Sequence, residues 1–485
     1  MDGGIVANEH FEAIQTLLNK QRESYLQEGF VSAAVRIDRL KRAKNLVLKY
    51  KDELLDVINE DYGNRSKEIG LVTDVMAANG ALADAIKNVK KWMKPEKRGL
   101  MFPLGLLGAR AQVNYQPKGV MGIITPWNFP LTMIFVPLAQ ALAAGNRVII
   151  KPSEHTPKTS DFIQKIISES FDETEVAVYT GGVEVSQAFA SQNWDHLMFT
   201  GAPVVGKLIM RAASENLVPV TLELGGKSPV LVSRGADLKM VAERVATWKM
   251  TNAGQICLTA DYINLPEDKK DEFIEVYKQT VSEMFPTLLE NDQYTSIITE
   301  RHRDRMHGYL KECEDKGATV HTINPAKEDF SQQPEGMNKV APAIIEGVDD
   351  SFKIMQEEIF GPLLPIRTYS KFEEVIDYVN DHERPLAIYY FGTDKAEIEV
   401  VSHHTTSGGL TINDCVWHGA HETLPFGGVG NSGMGRYHGF DGFKEFSHHK
   451  PVLKHPAKIG INKLLGIVPP YGATLKRTAK MELKK

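Results

Sequence analysis

Three side chains along the sequence have the chemistry of a nucleophile, a base and an oxyanion donor. Cys257 sits in NAGQICLTADY, between a helix expected to end at Asn252-Ala253-Gly254 and the strand YINL. A thiol at the mouth of such a loop is open to a ligand, and its thiolate is a strong nucleophile. Glu223 stands in TLELGGKSP, at the end of an apolar strand and ahead of two glycines. That is the ligand side of a parallel sheet. A carboxylate there acts as a general base if apolar surroundings raise its pKa. Asn128 lies in ITPWNFP, braced by Pro126 and Pro130, where a fixed amide N–H can stabilise an oxyanion. Taken singly, each has a plainer reading: a buried inert cysteine, a solvated strand-end carboxylate, a turn asparagine.

Further motifs suit a dinucleotide. Lys151 and Glu154 lie in KPSE, directly after the strand residues RVII. A glutamate gripping the adenosine ribose hydroxyls repels a 2′-phosphate, which favours NAD over NADP. FTGAPVVGK carries Gly201 and Gly206 where a strand runs into a helix, and a helix N-terminus beside small residues suits a pyrophosphate. Residues 428–433 match GxGxxG literally, but no strand precedes them and no βαβ unit opens there, so they read as a structural glycine turn. His403-His404, His418, His421 and His448-His449 show no metal-ligand spacing, and no catalytic metal is expected.

The elements that must position these groups follow from patterning. The chain has 485 residues, enough for two or three domains. The first ~95 residues carry helical periodicity. Residues 99–116, rich in Gly and then alternating, read as a projecting hairpin. From residue 119, strand–helix alternation implies a parallel sheet. GVMGIIT, RVIIK, EVAVYTGG, HLMFTG and PVTLELGG are its strands; LTMIFVPLAQALAAG is a helix ending at Gly145, and Thr156-Pro157 starts another. After Gly225-Gly226 a second α/β pattern follows. It has a helix capped by Asp237 and the strands YINL, ATVHTI, KVAPAIIEGV, PLLPIRTY and GLTIND. The expected domains are 1–98 with 119–224 (dinucleotide binding), 99–118 (oligomerisation hairpin), 225–428 (catalytic) and 429–485 (C-terminal arm and dimer contact).

Composition removes other classes. Net charge is −6, with no basic excess for nucleic acid. Three cysteines without CxxC spacing argue against a disulfide framework and for a reducing cytoplasm. The N-terminus lacks the pattern of a secretory signal, and the apolar run 131–145 is too short to span a bilayer. The basic tail, with 464–468 apolar, is expected to pack on the protein or a dimer mate, with a membrane surface as the alternative.

The ordered set ITPWNFP, KPSE, FTGAPVVG, LELGGKSP, GQIC, EEIFGP and PFGGVGNSGMG, with 34 positions from Glu223 to Cys257, resembles the aldehyde dehydrogenase superfamily over nearly the whole chain. The lack of a long N-terminal extension, with FPLGLLGARAQVNYQPKGV and DYGNRS, resembles its short, dimeric branch, and within that branch the coniferyl aldehyde dehydrogenases. The resemblance implies two parallel-sheet α/β domains with a small oligomerisation arm. It implies that Cys257 forms a thiohemiacetal and then a thioester, that Asn128 and the Cys257 N–H hold the oxyanion, and that Glu223 activates water. It implies that Thr125, Pro126, Trp127, Lys151, Ser153, Glu154, Gly201, Gly206, Leu224, Glu358 and Phe360 bind NAD, with NADP accepted by some members. The chain departs from the family in CLTADY, where relatives commonly carry a proline before Asp261, and in FTGAP for the commoner FTGS. An aromatic or medium-chain aldehyde is the expected substrate. The rivals are a CoA-acylating or semialdehyde dehydrogenase of the same superfamily and a cysteine esterase.

Overall fold

Continuous apolar runs such as VMGII and RVIIK lack strand alternation because both faces of a parallel sheet are covered. In the computed structural model, which describes residues 9–102 and 104–483, Val120–Ile124 and Arg147–Lys151 are buried at every position. They are the inner strands of a six-stranded sheet. Its order is Gly433–Met434, Val220–Leu224, His196–Gly201, Val120–Ile124, Arg147–Lys151, Val176–Val178. All neighbours run parallel except the Gly433–Met434 edge. Val120–Ile124 is the first of these strands in the chain, yet later strands flank it on both sides. The order therefore reverses at its C-terminal end, where an open α/β sheet binds ligands, and residues 125–128 emerge there.

The second sheet has seven strands, in the order Thr319–Thr322, Ala343–Glu346, Leu363–Tyr369, Tyr262–Pro266, Pro229–Val232, Ala387–Phe391, Gly409–Ile412. Only Thr319–Thr322 runs antiparallel. Two of its inner strands, Pro229–Val232 and Ala387–Phe391, are absent from the strands expected from sequence.

The helix Pro130–Ala144 is almost wholly buried and ends at Gly145, whose φ of 92° is the left-handed cap expected. Arg36 donates to the carbonyl of Ala143 at 2.8 Å, satisfying an orphan acceptor at that end. Asp237 caps Leu238–Met250 as expected. Thr156 precedes Pro157–Ser168 but makes no side-chain cap. Asp61 does so from another helix, accepting from the N–H groups of Lys158 at 3.1 Å and Thr159 at 2.8 Å. One described helical run, residues 67–92, is long and apolar enough to cross a membrane; in the structure its Ala78, Ala81, Leu82, Ala85 and Val89 are in the core.

Two expected boundaries shift. The arm is not a hairpin within 99–118. Arg110–Pro117 pairs antiparallel with Glu96–Arg98 on one side and with Ser447–Lys454 on the other, so alternation at 110–117 marks the centre of a three-stranded sheet. Nor is 429–485 a separate arm throughout. Gly433–Met434 extends the first sheet, and Asn146 Nδ2 donates to the Phe446 carbonyl at 2.8 Å, tying the helix Gly439–Glu445 to the first unit. The 428–433 glycines make that edge turn: a side chain at Gly433 would stand 2.2 Å from the Leu222 carbonyl oxygen. Further on, Ile461 and Leu465 of the tail pack on Leu104 and Ala109.

Candidate active site

Between the two sheets lies a cleft of about 700 Å³, lined by Trp127, Asn128, Gly201, Glu223, Cys257, Phe360 and others. Of the residues expected there, Pro126, Leu224 and Glu358 also line it. Thr125, Lys151, Ser153, Glu154 and Gly206 are outside this lining. The Thr125 N–H donates to the Lys151 carbonyl at 3.0 Å, joining the two strand ends. Lys151 is fully buried and pairs with Glu154 at 2.8 Å. Burial alone would raise the Glu154 carboxyl, but the Lys151 hydrogen bond and charge outweigh it and hold it below its usual value. Ser153 Oγ accepts from the His155 N–H at 3.2 Å, so it serves the turn. Gly206 lies in the helix Pro203–Ser214, where a Cβ would meet the Leu224 side chain at 2.7 Å; its smallness lets helix and strand close.

Cys257 follows a tight turn. After the helix Leu238–Met250, residues Asn252, Ala253 and Gly254 take left-handed φ values of 51°, 50° and 73°. Two non-glycine residues in that region are strained and persist only when their surroundings hold them. Gln255 supplies the hold: its Nε2 donates to the carbonyls of Asn252 at 2.9 Å and Ser296 at 3.0 Å, and its Oε1 accepts from the Ile298 N–H at 3.0 Å. The thiol is half-buried. Burial pushes its pKa up, and the Glu223 and Glu358 carboxylates add to the rise; the N–H groups of Cys257 and Leu258 pull it back.

Glu223 is 2% exposed and neither carboxylate oxygen has a partner. That burial drives its pKa well above the ordinary value. Glu358 is pushed up to about 8, by burial first and by the Asp261 charge second. It lies over Gly225, where a Cβ would stand 2.0 Å from Oε2. Lys227 pins the segment that carries it, donating to Asp261 at 2.7 Å and to the carbonyls of Ile354 at 2.8 Å and Glu357 at 2.9 Å. Arg305 donates to the Glu358 and Ile359 carbonyls, both at 2.9 Å. Phe360 has φ 51° and meets Trp127 edge-to-face at 5.4 Å.

Asn128 Nδ2 donates to the Gln255 carbonyl at 3.2 Å, which anchors the amide and leaves its second N–H free to serve the cleft. Its backbone carbonyl accepts from Arg65 at 2.7 Å, Asn252 at 3.1 Å and Tyr62 at 3.2 Å. Arg65 in turn pairs with Asp74 at 2.6 Å, both fully buried, and Asp74 accepts from the Leu131 N–H at 3.1 Å. Arg305 and Asp74 lie outside every motif, and Lys227 in LELGGKSP and Arg65 in DYGNRS show no role there; only the fold brings the four into these contacts. Arg65→Ala would strand the Asp74 charge, so a loss of about 3–5 kcal/mol is expected in denaturant unfolding; an unchanged midpoint would contradict this bracing. Among the described residues, no group of three His, Cys, Asp or Glu side chains could hold a metal ion.

Residues 6–452 match the Aldehyde dehydrogenase family. The chain is 49% identical to "Probable coniferyl aldehyde dehydrogenase" of Caulobacter vibrioides over 98% of both chains. It is 48% identical to "Coniferyl aldehyde dehydrogenase" of Pseudomonas sp. strain HR199, over 96% of this chain and 95% of that one. Its structure superposes on a substrate-bound Staphylococcus aureus AldH with a TM-score of 0.89 at 33% identity, over 97% of this chain and 99% of that one. A betaine aldehyde dehydrogenase of Staphylococcus aureus in complex with NAD+ gives 0.82 at 25% identity, over 93% and 89%. The chain belongs to the aldehyde dehydrogenase family.

Proposed function

We propose that this chain oxidises an aldehyde to its carboxylate with NAD, and that aromatic aldehydes such as coniferyl aldehyde are its substrates. One observation carries the reading: a half-buried thiol shares a cleft with a buried carboxylate that has no partner of its own. Cys257 adds to the aldehyde carbon. The free N–H of Asn128 and the Cys257 backbone N–H hold the oxyanion. The residues present fit a dinucleotide: Thr125 Oγ1 and Glu358 Oε1 are buried without partners, and Lys151 with Glu154 stands at the end of the adjacent strand. Glu154 would hold the adenosine ribose, Glu358 and Phe360 the nicotinamide end, and Gly201 the pyrophosphate. When bound, the nicotinamide accepts a hydride from the carbon held on Cys257. Glu223 then takes a proton from water, which attacks the thioester and frees the acid and the thiol.

Glu223 favours hydrolysis over transfer to CoA. Among the described residues no histidine hydrogen-bonds the Cys257 thiol, which disfavours a cysteine esterase. The purified protein is expected to form NADH from an aldehyde panel, with acid as product whether or not CoA is present and with less NADPH than NADH. Absence of NADH from every aldehyde would refute the reading. Gly225→Ala pushes on Glu358, so KM for NAD should rise about ten-fold or more with the fold intact. An unchanged KM would remove Glu358 from the cofactor's contacts. A cytoplasmic homodimer belongs to the same reading. It is supported by Met101, Phe102 and Leu106, exposed at 72%, 71% and 81% beside the three-stranded sheet, and light scattering would give its mass.

A further inference from the structure

The turn Trp417–Ala420 lies against the residue that follows the nucleophile: a side chain at Gly419 would stand 2.6 Å from Leu258 Cδ1. Tyr389 donates its hydroxyl to the Leu258 carbonyl, and its ring centroid is 6.3 Å from that of His418. The His418 ring is bedded on Gly409, where a Cβ would come within 2.4 Å of it. Its Nδ1 pairs with Thr411 Oγ1 at 2.8 Å, while its buried Nε2 has no partner. Phe426 bridges to a second imidazole, with centroids 6.5 Å from His418 and 5.0 Å from His438, stacked on the latter. His438 is 7% exposed and its Nδ1 is buried without a partner. Glu422 Oε2 is a third such atom. Tyr437 packs edge-on to His438 at 4.6 Å and to Phe426 at 5.6 Å, completing the wall of this cluster.

Native interiors leave few buried polar atoms unpaired, so a group of them beside a reactive thiol points to a ligand that pairs them. Burial holds His418 down to about 4 and His438, with His418's charge adding, down to about 3; both imidazoles are neutral at pH 7. Burial and the Asp84 charge lift the Glu422 carboxyl to about 7. Such a set has no positive charge to hold a carboxylate. It offers lone pairs and N–H or O–H donors to a neutral hydroxyl, beside the rings of Phe426 and Tyr437. Resting on the aldehyde-oxidising reading above, we infer that His418, His438 and Glu422 receive the ring hydroxyl of a phenolic aldehyde whose formyl carbon is on Cys257.

A site built to hydrogen-bond a hydroxyl discriminates strongly against the analogue that lacks it, because its own polar groups are then left unpaired. The test compares 4-hydroxycinnamaldehyde with cinnamaldehyde on the full-length protein. The ratio of their kcat/KM values is expected to be about ten or more and to fall towards one in His418→Phe and in Glu422→Leu. A wild-type ratio near one overturns the inference, even if both variants fail to fold. So does a ratio that both folded variants preserve. NADH from both aldehydes at equal efficiency, or from neither while other aldehydes give it, removes only the cluster's role; NADH from no aldehyde removes the aldehyde-oxidising reading itself.

Discussion

Cys257→Ala is expected to abolish NADH formation from every aldehyde, with a fall in kcat on the order of 10⁴-fold or more, the scale on which removing a covalent nucleophile acts. The effect is this large because no other thiol can take over. Cys313 and Cys415 are both buried, and Cys415's pKa is driven well above the ordinary value by burial first and by Asp414 second. Dinucleotide affinity should change by no more than about two-fold, since the residues proposed to hold NAD are contributed by other segments. Trp127 lines the cleft and reports binding by fluorescence. Turnover in the alanine variant, measured at 340 nm with NAD and an aromatic aldehyde, would remove Cys257 as the nucleophile. Loss of NAD binding along with turnover would mean that the turn at residues 252–254 had collapsed.

How much of this was legible before folding depends on the range of the signal. The first sheet's strands and the Gly145 and Asp237 caps are local features, and the structure bears them out. The strands Pro229–Val232 and Ala387–Phe391 escape because a short run buried on both faces has the same pattern as buried helix. The arm at 110–117 shows strand alternation but not its partners, since Ser447–Lys454 is more than 300 residues away. The site follows the same division. Cys257, Glu223 and Asn128 stand out through motif order. Arg65, Asp74, Lys227 and Arg305, which brace the loops that carry them, act through hydrogen bonds between distant segments; even where Arg65 and Lys227 fall in a motif, no spacing names those partners. Likewise His418 and His438 are only two histidines among 15 in the sequence, and their neutrality comes from burial that only the fold creates.

Glu223→Gln is expected to separate the two halves of the reaction. The first hydride transfer needs Cys257 and the oxyanion donors, so one NADH per site should still appear as a burst. Hydrolysis of the thioester needs a base, so the steady-state rate should fall about 10²–10⁴-fold. In the wild-type enzyme the base must be ionised. Because burial without a partner sets the Glu223 pKa well above 4.5, the ionised fraction is lost as pH falls through that raised value. The acid limb of kcat should therefore lie well above the ordinary carboxylate range, and the glutamine variant should lack it. Stability carries the opposite sign. Between 4.5 and the raised pKa the native state binds the proton that the unfolded chain has released, so Glu223 lowers stability as pH rises through that window. Relative to wild type, Glu223→Gln should gain stability at alkaline pH, and less at pH 4, in denaturant titrations. An unchanged steady-state rate would remove Glu223 as the base, and a variant less stable at high pH would show that its carboxylate has a partner after all.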